Sequence, residues 1–245
     1  MNTASPSVLT VLQARMSSRR LPGKVLADLE GAPMILRQIE RLRRAPSLGA
    51  IVVATSIEAS DEPLAHCLAA AGVPVHRGAL DDVLGRFADT LEHFGPAKTV
   101  VRLTADCPLA DPEVIEATLA LHRRTGADYA SSTAAGRTFA KGLDVEVMTA
   151  ASLLTAAAEA TEAYDREHVT PFIYNHPQRF TVVGLTQPAD EGDVRWTVDL
   201  PDDLEFVRAV YAALYPVKPA FTSDDVRDLV SRRPDLARLG GERRL

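Results

Sequence analysis

Cysteine is nearly missing from the chain. Cys67 and Cys107 are the only two in 245 residues, too few and too far apart for a disulfide framework or a thiolate metal site. They read as two reduced thiols in a reducing compartment. Long hydrophobic runs are missing as well. No apolar stretch reaches membrane-spanning length and the N-terminal residues show no signal-peptide pattern, so a cytoplasmic protein without membrane insertion is expected. Positive charge is not in excess either. A net charge of -6 argues against a nucleic-acid partner, because phosphate backbones are held by clustered cations. Lysine is scarce: of 27 Lys and Arg residues, only Lys24, Lys98, Lys141 and Lys218 are lysines. One placed inside a glycine-containing loop therefore stands out. No internal repeat and no linker divides the chain.

Strand-like and helix-like segments alternate instead. Runs rich in β-branched residues at 8–12, 50–54, 73–76 and 99–103 read as strands of a parallel sheet, and 127–130 as a further strand. Between them, Met34, Ile35, Ile39 and Leu42 mark one face of a helix beginning near Pro33, and a second helix covers 61–71. Asp81 or Asp82 can cap a third, whose Val83, Phe87, Leu91 and Phe94 share a face. Asp111-Pro112 is a helix start, a capping carboxylate followed by Pro at the first helical position. This alternation predicts an α/β fold with a mostly parallel, Rossmann-like sheet and helices on both faces. The second half is less regular. Strands are expected at 143–147, 181–185 and 194–198, with antiparallel additions to the sheet. A helix is expected from Pro201 to Leu214, and Ser223 is expected to cap a last helix before a basic, frayed end. Arg37, Arg41, Arg43 and Arg44 read as a solvated helix face.

Three segments carry chemistry, each after a predicted strand. The first is Gln13-Ala14-Arg15-Met16-Ser17-Ser18-Arg19-Arg20-Leu21-Pro22-Gly23-Lys24. Exposed backbone N–H groups, small hydroxyls and spaced cations at a strand's carboxyl end are what a polyphosphate needs. The second is Leu103-Thr104-Ala105-Asp106-Cys107-Pro108-Leu109. The third is Trp196-Thr197-Val198-Asp199-Leu200-Pro201-Asp202-Asp203. Asp106 and Asp199 at strand ends beside such a loop are hard oxygen ligands suited to Mg²⁺ shared with phosphates.

These residues resemble the sugar cytidylyltransferases. The resemblance lies in A-R-M-S-S-R-R-L-P-G-K, T-A-D-C-P-L and V-D-L-P-D-D-L. It extends to the spore-coat polysaccharide, SpsF-like branch through D-D-V-L-G-R-F, G-L-D-V-E-V, R-E-H-V-T-P-F and F-T-S-D-D-V-R-D-L-V. It spans the chain from about Val8 onward. It implies a single nucleotidyltransferase domain over 1–245. Residues 1–130 would bind nucleotide, 131–200 would bind acceptor and dimerise, and 201–245 would form C-terminal helices. It implies CTP over the sheet's carboxyl edge, with Arg15, Arg20 and Lys24 on the triphosphate and Gln13, Ala14 and Ser18 in the same grip. Asp106 and Asp199 would hold Mg²⁺. Thr55 and Ser56 fall where the base is read, and Asp82 and Arg86 in a loop near the nucleotide. The implied activity is transfer of CMP to a sugar, sugar acid or similar acceptor, for surface or spore polysaccharide, by a homodimer. Arg20, Lys24, Asp106 and Asp199 would carry the catalysis.

Asp144, Glu146, Glu167, His168 and Arg195 are the acceptor-binding candidates. Asp144 and Glu146 alternate on a predicted strand and so share a face, toward either acceptor or solvent. Arg166, Glu167 and His168 also fit a helix-surface salt-bridge cluster. Two other functions share these features: a glycosyltransferase using a nucleotide sugar, which would centre its metal on a D-x-D pair absent around Asp106, and a non-catalytic nucleotide-binding subunit.

Overall fold

A computed structural model describes residues 8–245. In chain order, β1 (Val8–Gln13) leads through a long loop to a hairpin, β2 (Asp28–Leu29) with β3 (Ala32–Pro33), and then to α1 (Met34–Leu42). The alternation continues through β4 (Ala50–Ser56), α2 (Glu62–Ala70), β5 (Val75–Gly78), α3 (Val83–Phe94), β6 (Thr99–Thr104) and α4 (Pro112–Thr125). Next come β7 (Tyr129–Ser131), β8 (Glu146–Thr149), and the helices α5 (Ala150–Glu159), α6 (Ala163–His168) and α7 (Pro171–Tyr174). After β9 (Val182–Gly184) follow α8 (Pro201–Leu214), α9 (Ser223–Arg232) and α10 (Pro234–Ala237).

One seven-stranded sheet runs β5-β4-β1-β6-β8-β7-β9. Its strands are parallel except β8, which is antiparallel to both β6 and β7. From β1 the chain winds outward through β4 to β5, then returns to place β6 on the other side of β1. That reversal opens a crevice beyond the carboxyl ends of β1 and β6, where open α/β sheets bind ligands. Gln13 is the last residue of β1, level with Ala54 on one side and Thr104 on the other.

Apolar alternation builds a core on each sheet face. Leu12, Val53, Val101 and Leu103 pack with Ile35 and Ile39 of α1 and with Ile115 and Leu119 of α4. Leu9, Val11, Val52 and Val100 pack on the other face with Phe87 of α3, Leu153 of α5 and Ile173 of α7. Each such side chain contributes roughly 1.5–3 kcal/mol of burial free energy. A third core surrounds Trp196, with Phe139, Phe206, Val207, Tyr211 and Phe221. This core fixes α8 and α9 beneath the crevice.

Several expectations change on folding. Residues 194–198 alternate like a strand but join no ladder, because their backbone partners lie in three separate segments. Trp196 N–H donates to Lys141 O, Arg195 N–H to Arg243 O and Val198 N–H to Asp106 O. The strand expected at 143–147 begins only at Glu146. Thr222, not Ser223, caps α9: its hydroxyl accepts from Asp225 N–H, and Ser223 Oγ is spent on Asp111. Arg41 is buried, donating to Ala110 O and Phe221 O at 3.0 Å each. The basic end is tied down: the wholly buried Arg244 pairs with Asp203 at 2.8 Å.

Candidate active site

The loop after β1 is held at its base. Met16 N–H donates to Asp61 Oδ1 at 2.6 Å, and Gly23 N–H returns to Met16 O at 2.9 Å. Gly23 has φ +73°, a left-handed turn that suits glycine. Asp61 is fully buried; it also accepts from Thr55 Oγ1 and Ser56 N–H at 3.0 Å each, and from Ser56 Oγ. Burial pushes its carboxyl up, but these hydrogen bonds outweigh it and the net shift is downward.

The loop turns Lys24 inward, and its ammonium gathers the two distant carboxylates. Nζ lies 3.2 Å from Asp106 Oδ2, 3.0 Å from Asp199 Oδ1 and 2.6 Å from Val198 O. The backbone enforces this meeting. Ala105 N–H donates to Gln13 O at 2.9 Å, and Val198 N–H to Asp106 O at 2.8 Å, so the turn after β6 and the 197–199 segment are pinned together. Asp199 is also met by Arg20 at 3.1 Å and Arg195 at 2.9 Å. Asp203 Oδ2 accepts from Asp199 N–H and Leu200 N–H, and both Arg195 and Arg244 bond its carboxylate. Burial works against ionised Asp203, yet these donors prevail and hold it at about 2.

Above this meeting point lies a cleft of about 280 Å³, polar and open. Gln13, Ala14, Arg15, Ser18, Arg20, Lys24, Asp106 and Asp199 all line it, as does Arg19, which the sequence reasoning passed over. Burial pushes the Asp106 carboxyl up, but the Lys24 ammonium, with hydrogen bonds from Thr104, Lys24 and Cys107, brings it below its ordinary value. Burial and the Asp106 charge raise the Cys107 thiol well above its usual range, so it remains a protonated donor and no nucleophile.

Four expected nucleotide contacts are spent elsewhere. Thr55 and Ser56 are fully buried and hold Asp61 instead of facing the cleft. Asp82 caps α3 through Gly85 N–H at 2.9 Å and takes a two-pronged pair from Arg166 at 2.8 and 2.5 Å, fastening α3 to α6. Arg86 is buried and donates to Ala79 O at 2.6 Å, with burial pulling its guanidinium down to about 10.

A second cavity, of about 500 Å³, adjoins on the sheet's α3/α5 side and contains two of the acceptor candidates, Glu146 and His168. Glu146 pairs with Arg102 directly across the β6–β8 ladder. Burial pushes Glu146 up, but Arg102 and the Thr170 and Tyr129 hydroxyls bring it below its ordinary value. The other acceptor candidates lie apart. Asp144 precedes β8 and pairs with Arg137, Arg195 is engaged by Asp199 and Asp203, and Glu167 is exposed on α6, lining neither space. Arg102 was missed although a signal existed: it interrupts the apolar run 99–103.

A sequence profile described as cytidylyltransferase matches residues 9–211. The spore coat polysaccharide biosynthesis protein SpsF of Bacillus subtilis (strain 168) is 33% identical over 238 residues, 94% of this chain and 96% of its own length. A solved cytidylyltransferase from Leptospira borgpetersenii serovar Hardjo-bovis (strain JB197) superposes with TM-score 0.87 and 26% identity, over 95% of this chain and 97% of that one. A CMP:2-keto-3-deoxy-manno-octonic acid synthetase complexed with CTP superposes with TM-score 0.63 and 19% identity, over 84% of this chain and 99% of that one. That last likeness is one of fold.

Proposed function

The chain belongs to the cytidylyltransferase family, and we propose that it transfers CMP from CTP to a small sugar-like acceptor, releasing pyrophosphate. One observation carries the reading: Asp106 and Asp199 converge on the Lys24 ammonium beside a loop bearing Arg15, Arg19 and Arg20. The matching sequence profile, described as cytidylyltransferase, supports the choice of nucleotide.

The two carboxylates fit a divalent cation. They are hard oxygen donors already facing one positive charge. Two carboxylates leave further coordination positions to water and phosphate oxygens, the habit of Mg²⁺. When bound, Mg²⁺ would polarise the α-phosphoryl group of CTP.

The chain's own residues do the rest. Arg15, Arg19 and Arg20 stand at the cleft to take up the triphosphate, with Ser18 as a neutral donor. Lys24 exchanges carboxylate for phosphate oxygens, which releases Asp106 and Asp199 and moves positive charge toward the departing pyrophosphate. The protonated Cys107 bonds Asp106 and helps keep it ionised. Positioning and electrostatics supply the acceleration, as in other phosphoryl transfers.

The test is pyrophosphate release from CTP and a panel of sugars, sugar acids and polyol phosphates, with and without Mg²⁺, beside a thermal-shift series of CTP, UTP, ATP and GTP. Mg²⁺-dependent release and preferential protection by CTP are expected. Stronger protection by another triphosphate overturns the nucleotide, and absence of release across the panel overturns the reaction. A homodimer and a cytoplasmic location belong to the same reading. A monomer mass in light scattering removes the dimer.

A further inference from the structure

We propose that the second cavity receives the body of the acceptor and selects an uncharged, polyhydroxylated one over a carboxylated one. The proposal rests on the cytidylyltransferase reading for the partner held in the cleft. Its location is argued from a shared wall: Arg102 Nη2, in the cavity, donates at 3.1 Å to Gln13 Oε1, in the cleft. A molecule seated in one space has an end at the other. At about 500 Å³ the cavity suits a small molecule.

Its two charges face each other, and of the Arg102 nitrogens only the buried Nε makes no hydrogen bond. Among the described residues Arg102 is the only Arg or Lys lining the cavity. It pairs with Glu146, and the two side chains are 15% and 14% exposed. Glu146 Oε1 accepts from Tyr129 Oη and Thr170 Oγ1, both at 2.6 Å. Those two hydroxyls have therefore donated their protons to Glu146 and have none left for a ligand. A carboxylate, which can only accept, finds no donor in them. An entering carboxylate would also meet Glu146 with no unpaired cation on the wall, and desolvating an unpaired charge costs far more than desolvating a hydroxyl.

The remaining wall suits a sugar ring. Burial holds Tyr174 up at about 12, so its phenol stays neutral. Tyr164 packs against His168 with ring centroids 4.4 Å apart, and Tyr174 lies 6.0 Å from Tyr129. Aromatic faces with polar tips match the C–H faces and hydroxyls of a sugar or polyol. Any anionic reacting group of the acceptor would then belong in the cationic cleft, not in this cavity.

Saturation-transfer NMR without nucleotide reads the cavity directly, using matched pairs that differ in one group: glucose with glucuronate, mannose with mannuronate, ribitol with ribonate. The measurements are made at pH 8. The neutral member of at least one pair should bind about tenfold more tightly than its acid, and Glu146→Gln, which frees Arg102, should narrow or reverse that ratio. Tyr174→Phe, which touches no ion pair, keeps the test decisive if Glu146→Gln does not fold. It should weaken neutral binding about fivefold, the scale of one lost hydrogen bond. Equal or tighter binding of the acids, no binding of any neutral probe, or wild-type binding by Tyr174→Phe overturns the proposal. CTP thermal shift, measured in parallel, checks folding. Its absence in the wild type would sink the cytidylyltransferase reading without altering the sugar preference.

Discussion

The two neighbouring spaces treat charge in opposite ways. In the cleft, Arg20 is 58% exposed, and Lys24 shares one ammonium between two carboxylates and a carbonyl. These contacts can be traded for phosphate. In the second cavity, Arg102 and Glu146 face each other across a ladder and are further bonded by Gln13, Tyr129 and Thr170. Such a pair is consumed by the fold. Charged residues mark a binding site only where their partners are replaceable.

The contrast breaks most visibly at Arg102. Arg102→Leu should cost about 3–5 kcal/mol of stability by stranding Glu146, whereas Arg102→Leu with Glu146→Leu should recover most of it. Urea titrations of both variants decide this, and a single variant as stable as wild type dissolves the distinction. Next in size is Asp106→Asn. Pyrophosphate release should fall by about 10²–10³ with the melting midpoint preserved, because backbone atoms, not the carboxylate, tie Asp106 to Val198.

Acid sharpens the comparison further. Asp203 titrates at about 2 in the folded protein, below its ordinary 3.8. A depressed carboxyl stabilises the fold fully above about pH 4, and that stability drains as pH falls through about 2. The shift corresponds to about 2 kcal/mol. Urea midpoints at pH 5 and pH 2.5 should separate wild type from Asp203→Asn, whose acid loss is smaller by roughly two thirds of that amount; equal losses in both refute it. Smallest is Arg20→Ala, which should raise the KM for CTP about fivefold, about 1 kcal/mol. Its exposed pair with Asp199 contributes little to stability, so the melting midpoint should hold. A wild-type KM would place the triphosphate elsewhere.

What could be read from residues alone follows a physical line. The loop from Gln13 to Lys24 and the turn at Asp106 were legible because their groups sit at the ends of buried β-runs, and the strand-to-loop transition fixes where they point. Asp199 was legible through the Asp-Leu-Pro helix start that follows it. The side chains of Thr55 and Ser56 turn to Asp61, which the residues alone did not show, because small hydroxyls after a strand look alike whether they face a cleft or bond a buried carboxylate. Arg102 acquires its meaning only from Glu146, placed opposite by the antiparallel insertion of β8, a pairing distant in sequence. Residues 194–198 carry strand alternation, yet their backbone partners come from three segments that folding alone assembles. Arg244 looked like loose basic tail because its partner Asp203 also resembles a routine first-turn helix carboxylate. The resemblance to cytidylyltransferases identified the family and pointed to Thr55 and Ser56 for the base, two side chains that folding turns to Asp61.

Met16 has a thermodynamic consequence. Its N–H is anchored to Asp61 and its carbonyl receives Gly23 N–H, so the intervening residues form a lasso knotted at one point. The knot is made of the protein's own groups and needs no ligand to close it. Capturing a polyanion then requires freezing only a few side-chain torsions at the rim, roughly 0.5–1.5 kcal/mol for each long side chain, while the backbone entropy has already been surrendered during folding.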